Sequence, residues 1–235
     1  MSGTPKRPRA ALLDVDGTLV DSNDQHARAW VDAFREAGHD VPYERVRPLI
    51  GMGGDKVLPR LTGIDHESPE GKKISERRSE IFLDRYLPQL HPLPGARPLL
   101  ERMEREGLTL VIATSAKKDE YQELVRIAGV EGVVDDQTTS DDASRSKPDP
   151  DIIVAALEKA EVRPAEAIML GDTPYDIQAA QAAGVGCVAL RSGGWTDADL
   201  PGALAIYDDP ADLLARFDTS PFAQPIAQPV ASGSP

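Results

Sequence analysis

The sequence predicts an α/β fold, a doubly wound parallel sheet carrying an inserted α-helical domain. Three observations predict it. Short apolar runs recur at Ala10–Leu13, Leu108–Ala113, Ala167–Leu170 and Val185–Leu190, and such runs read as strands buried on both faces. From residue 95 onward these runs alternate with helical patterns, which implies parallel strands joined by right-handed crossovers. Between the first strand and that alternation lies a block with helical patterning only.

Each element carries its own signals. Met1–Arg9 reads as a loose leader, basic but without the apolar stretch of a signal peptide, because Asp14 cuts the adjoining apolar run short. The first strand covers residues 10–14. Asp21 or Ser22 caps a helix with Ala27, Trp30, Val31, Phe34 and Ala37 on one side, and Gly38 ends it. Pro42 and Pro48 bracket a short helix. Gly51-Met-Gly-Gly54 is a flexible loop, and a helix follows from Asp55. A polar helix runs from about Ser68 to Leu87 with Ile74, Ile81, Phe82 and Tyr86 as its apolar stripe, and Pro88, Pro92 and Pro94 close the block. Then come a helix at 95–106, a strand at 108–113, a helix at 118–128, a short strand at 133–138 and a helix at 149–160. A strand at 167–171, a helix at 174–183, a strand at 186–190 and a last strand at 204–207 complete the alternation. The expected division is a core of 1–21 and 93–218, a helical insert of 22–92, and a disordered tail of 219–235 with no surviving period.

Chemistry gathers at the strand ends. Asp14-Val-Asp16-Gly17-Thr18 places two carboxylates two residues apart at the C-terminal end of the first strand, the edge where open α/β sheets bind ligands. Two adjacent acids repel, and a hard divalent cation offsets them most simply; an Asp-Gly turn is the plainer reading. Thr114-Ser115 ends the second strand, where hydroxyls and N–H groups hold phosphate oxygens or cap the next helix. Ser146-Lys147-Pro148 offers a point positive charge for an anion, or a solvated surface lysine. Gly171-Asp172-Thr-Pro-Tyr-Asp176 supplies a further acid for a metal site with Asp14, or an N-cap for the helix at 174.

Together, in this order, these four segments resemble the motifs of the haloacid dehalogenase superfamily of aspartate-nucleophile phosphohydrolases, over roughly residues 10–215. The resemblance implies a Rossmann-like core and a small helical cap, here residues 22–92, that closes over the site and admits a small substrate. The hinges would be Leu19–Ser22 and His91–Gly95. It implies Asp14 as nucleophile, Asp16 as general acid and base, and Thr114, Ser115 and Lys147 as phosphate holders. It implies Mg²⁺ held by Asp14, the Asp16 carbonyl and Asp172, with Asp176 behind them orienting water or Lys147.

Branches of that family differ in detail. A dehalogenase lacks the second aspartate of the first motif and needs no metal, so Asp16 and Asp172 argue against one. A phosphonate hydrolase forms a Schiff base on a cap lysine, and Met52-Gly-Gly-Asp-Lys56 resembles that setting, but Asp16 argues against it. Lys56 otherwise reads as an anion contact or a plain helix-start lysine. His26-Ala-Arg-Ala-Trp30 resembles the segment of a β-phosphoglucomutase whose histidine couples cap closure to the acid; His26 on an exposed helix face is equally open. The mutase keeps an arginine in its cap loop where Gly54 stands here, which favours a phosphatase. The loop carrying Gly51, Gly53, Gly54 and Lys56 resembles that of phosphoglycolate-phosphatase-like proteins. It should face the site, its glycines letting backbone approach the ligand, and with Arg47 it would select a small anionic ester such as 2-phosphoglycolate or a sugar phosphate. A non-catalytic binding protein of the same fold stays open as the alternative class.

Composition agrees. The chain has 235 residues, 40% of them hydrophobic, enough for one medium domain and an insert. A net charge of −13 argues against broad nucleic-acid or anionic-membrane binding. No apolar run approaches the ~20 residues that span a bilayer. A single cysteine, Cys187, sits in an apolar run and reads as a buried core thiol; it fits a reducing cytoplasm. Monomer and homodimer are both open.

Overall fold

Leu12 and Leu13 are adjacent and wholly buried, yet they enter different cores. Alternate side chains of a strand leave on opposite faces, so this strand must be covered on both sides. The computed structural model describes residues 7–225. In chain order its core begins with β1 (Ala10–Leu13), which leads into the helical insert through β2 (Val20–Asp21). The insert comprises α1 (Asn23–Glu36), α2 (Tyr43–Val46), α3 (Gly54–Thr62) and α4 (Pro69–Ile81), and α4 runs on into a π-helical turn at Phe82–Tyr86. The chain returns through β3 (His91–Pro92) to α5 (Ala96–Arg105), β4 (Thr109–Ala113), α6 (Lys118–Ala128), β5 (Asp136–Thr138) and α7 (Asp151–Lys159). It finishes with β6 (Ala167–Gly171), α8 (Pro174–Ala182), β7 (Gly186–Leu190), β8 (Ala205–Tyr207) and α9 (Pro210–Ala215).

The main sheet has six parallel strands in the order β5-β4-β1-β6-β7-β8. The chain moves outward from β1 to one edge through β4 and β5, then to the other through β6, β7 and β8. That reversal opens a crevice at the C-terminal ends of β4, β1 and β6, where ligands bind in doubly wound sheets. The predicted α/β class and the helical cap are therefore both present.

Several boundaries move. The strand expected at 133–138 is shorter, spanning Asp136–Thr138; just before it the Asp135 carboxylate accepts the Leu110 N–H at 2.7 Å. The helix expected to Leu87 ends its regular part at Ile81. The two crossings expected as hinges pair with each other as the antiparallel ribbon of β2 and β3. Helix α9 was not expected, although Asp209 caps it by accepting the Asp212 N–H at 2.9 Å and Pro210 opens it. The tail was expected from 219, but Ser220, Phe222 and Ala223 are buried in the core; the rest of that expected tail, 226–235, lies outside the described residues. Cys187 is buried as expected, and burial pushes its thiol well up. No helix among the described residues is long and apolar enough to cross a membrane.

Candidate active site

Asp14 follows the last residue of β1, and its N–H donates to the Leu170 carbonyl of β6 at 2.9 Å. That bond fixes it at the crevice. Asp172 follows β6 directly, and Asp176 stands in the first turn of α8, where it completes a capping box with Thr173. The Lys147 ammonium lies 2.6 Å from Asp14 Oδ1 and 2.7 Å from Asp176 Oδ1. Lys147 precedes α7 by several residues and is 1% exposed, so the reading of a solvated surface lysine does not hold.

Asp14, Asp172 and Asp176 are all buried, with oxygens within 4.8 Å of one another. One ammonium cannot balance three carboxylates. Burial, with repulsion from Asp176 and Asp16, pushes the Asp14 carboxyl up to about 7, and Lys147 only partly offsets it. Burial and the charges of Asp176 and Asp14 push Asp172 well up. Burial would depress Lys147, but Asp14 and Asp176 outweigh it and hold its ammonium above the usual value. The chemistry of this donor set fits a hard divalent cation.

Asp16 faces elsewhere. Its Oδ1 accepts from the Ser22 hydroxyl at 2.5 Å and lies 2.7 Å from His26 Nε2. Burial would raise its pKa, but His26, Ser22 and Arg78 together hold it below the ordinary value. Ser22 sits at the N-cap position of α1 without capping it, because its hydroxyl is spent on Asp16. His26 is buried and stacks on Phe82, ring centroids 3.9 Å apart, so the exposed-face reading of His26 fails.

A cavity of about 350 Å³ lies between cap and core. Asp14, Asp16, Thr114, Ser115 and Lys117 line it from the core and the hinge, and His26 from the cap. The Ser115 Oγ is buried without a hydrogen-bond partner, whereas the Thr114 Oγ accepts the Ala116 N–H at 3.1 Å. Gly51, Gly53 and Gly54 line the cavity from the cap, with Trp30 behind Gly54. Lys56 does not: its ammonium pairs with Asp149 of the core. Arg47 is likewise committed, to Asp24 at 2.7 Å and to the Gly193 carbonyl at 2.8 Å. The cap loop thus brings its backbone to the cavity, while both cations expected to meet the substrate bind protein groups.

Sequence reading missed four supports. Asn23 donates to Asp172 Oδ2 at 2.7 Å, and the Thr18 hydroxyl lies 3.3 Å from Asp172 Oδ1. Arg78, partly exposed, pairs with buried Glu120 beside His26. Both occupy apolar stripes, Arg78 between Ile74 and Ile81–Phe82, and Glu120 one turn before Leu124. A charge at a core-facing helical position was the signal. Gly17 is the tightest point. It has φ +73°, and a Cβ there would lie 2.1 Å from Asp172 Oδ2 and 2.2 Å from Asn23 Nδ2. Only glycine meets both demands.

Fold and site together define a class, and comparison with known proteins agrees. The family model of haloacid dehalogenase-like hydrolases matches residues 11–190, and the chain belongs to that family. It is 33% identical to the validoxylamine A 7'-phosphate phosphatase of Streptomyces hygroscopicus subsp. limoneus, over 78% of this chain and 86% of that protein. It is 30% identical to the N-acetylmuramic acid 6-phosphate phosphatase of Pseudomonas aeruginosa, over 90% and 96%, and to a phosphoglycolate phosphatase of Pseudomonas putida, over 79% and 70%. A further match, 33% identical over 78% of this chain, covers 18% of the Arabidopsis thaliana protein SUPPRESSOR OF QUENCHING 1, chloroplastic. Among solved structures, a hydrolase from Pseudomonas syringae superposes with a TM-score of 0.83 at 34% identity, over 89% of this chain and 98% of that one.

Proposed function

We propose that this protein is a Mg²⁺-dependent phosphatase that hydrolyses a small phosphate monoester through an aspartyl-phosphate on Asp14. The carrying observation is the divergence of two near-neighbour acids. Asp14 is held by Lys147 among buried carboxylates, while Asp16 is held by Ser22 and His26. One is set up to attack and the other to move a proton.

Mg²⁺ would be held by Asp14, Asp172 and the backbone carbonyl of Asp16, with Asp176 behind them holding Lys147. The ion supplies positive charge to the carboxylates and to a phosphate oxygen. The chain's own groups do the rest. Asp14 attacks phosphorus and forms the phosphoenzyme. Asp16, a carboxylate at rest under Ser22 and His26, would take up a proton from solvent as the ester binds and pass it to the departing ester oxygen. Asp16 then takes a proton from water, whose oxygen attacks phosphorus and releases phosphate with Asp14 regenerated. Ser115 Oγ, Thr114 and Lys147 would hold the transferring oxygens, where fixed charge and position supply most of the rate.

The substrate is a small phosphorylated metabolite, because the cavity between cap and core is only about 350 Å³. The phosphatases of sugar-like esters and of phosphoglycolate among the relatives support this class. The test is Asp14→Asn. A folded variant with no turnover is expected; a fully active one would refute the nucleophile assignment.

A further inference from the structure

We propose that Asp55 and Lys56, at the start of cap helix α3, position Lys147 by gripping the loop on either side of it. The grip itself is independent of the phosphatase reading; only its effect on turnover rests on that reading.

Lys147 sits in the loop before α7, outside any regular hydrogen-bond ladder. Its ammonium must nevertheless stay between Asp14 and Asp176. Two consecutive cap residues hold its flanks. The Ser146 hydroxyl donates to Asp55 Oδ1, and the Ser146 N–H approaches Asp55 Oδ2 at 3.5 Å. On the other side, the Lys56 ammonium donates to Asp149 Oδ2. Both contacts join cap to core, and both are partly shielded from water, where such pairs act more strongly than at a free surface.

Gly53 supplies an independent observation. A Cβ there would lie 2.4 Å from both Cβ and Oγ of Ser146. The cap loop therefore reaches the lysine loop only because residue 53 has no side chain. Close approach at Ser146, an acid on one flank and a cation on the other fix three points around Lys147. Lifting the cap would release all of them together. Displacing a positioned group by about 1 Å can lower a rate 10²-fold, so this contact can make Lys147 geometry depend on cap closure.

The experiment uses the full chain with Mg²⁺ and p-nitrophenyl phosphate as probe. Lys56→Met, Asp149→Asn and their double variant are compared with Lys56→Arg, which keeps the pair. Each single loss should lower kcat about tenfold with KM within about twofold, as expected for a displaced positioned group. The double variant should be no worse than the worse single, and Lys56→Arg should stay near wild type. A second arm needs no turnover: acetylation of Lys147 by acetic anhydride, read by peptide mass spectrometry. Labelling should rise in both single variants and in Gly53→Ala, and stay low in Lys56→Arg. Loss of kcat in Lys56→Met with wild-type Asp149→Asn would overturn the proposal, as a direct substrate contact by Lys56. Additive losses or unchanged Lys147 labelling would overturn it too. A wild type that hydrolyses no ester would sink the phosphatase reading alone, and the labelling arm would still decide the grip.

Discussion

Arg78 of the cap holds both carboxylate oxygens of Glu120 of the core, at 2.6 and 2.8 Å. Its second terminal nitrogen lies 2.5 Å from His26 Nδ1. A guanidinium only donates, so Nδ1 accepts and Nε2 carries the hydrogen given to Asp16. One ion pair between domains thereby sets the tautomer of the histidine that orients Asp16.

Breaking that pair should destabilise the protein. Glu120 is 1% exposed, and Arg78→Ala would leave its carboxylate buried and unpaired, a loss of about 3 kcal/mol. Urea denaturation at pH 7 measures it. Burial would raise Glu120, but the charge and hydrogen bonds of Arg78 hold its pKa below the ordinary value. Its contribution is therefore present above the unfolded pKa and lost as pH falls, so the gap between wild type and Glu120→Gln should shrink in acid. A gap that holds at low pH would contradict the pairing.

Ser22→Ala and His26→Asn each remove a hydrogen bond to the Asp16 carboxylate. That carboxyl, held low against its burial, should titrate higher in both variants. In a kcat–pH profile the limb set by Asp16 should move to higher pH. An unmoved profile in both would separate Asp16 from the proton transfers.

Metal and proton should compete for the same oxygens. Without metal, Asp14 titrates near 7, raised by burial and by its neighbouring acids. A raised carboxyl favours folding while protonated, so metal-free stability should fall as pH rises from the unfolded value through about 7. Mg²⁺ relieves that repulsion. The Tm gain on adding Mg²⁺ should thus be larger at pH 7.5 than at pH 5.5. An equal gain at both would contradict the carboxylate cluster as the metal site.

Gly17→Ala tests the ligand geometry apart from the ligands. The new Cβ would displace Asp172 or Asn23. Mg²⁺ affinity by titration calorimetry should fall by roughly 10–100-fold, as when groups supporting metal ligands are lost. Wild-type affinity would mean that Asp172 does not bind the ion.

The sheet and three of its strand ends were legible because buried parallel strands are short apolar runs, and Asp14, Thr114 and Asp172 stand just beyond such runs, while Pro148 and Pro150 marked the turn that carries Lys147. The ribbon of β2 and β3 was not, since each strand has two residues and no period. Lys56 and Arg47 misled because a cation near a glycine loop suggests an anion. Their partners Asp149 and Asp24 are set by how the cap docks, which no local pattern carries. Arg78 and Glu120 lie far apart in sequence, and only their places on apolar stripes marked them.

Metal-dependent monoester hydrolysis through Asp14 is tested most directly by phosphate release from a panel of small esters, with Mg²⁺ and with EDTA. The panel would hold 2-phosphoglycolate, hexose phosphates, β-glucose 1-phosphate, nucleotides and phosphonoacetaldehyde. Release from one or a few monoesters that EDTA abolishes is the predicted result. No release from any, with β-glucose 1-phosphate converted to glucose 6-phosphate instead, would contradict it and make the protein a mutase.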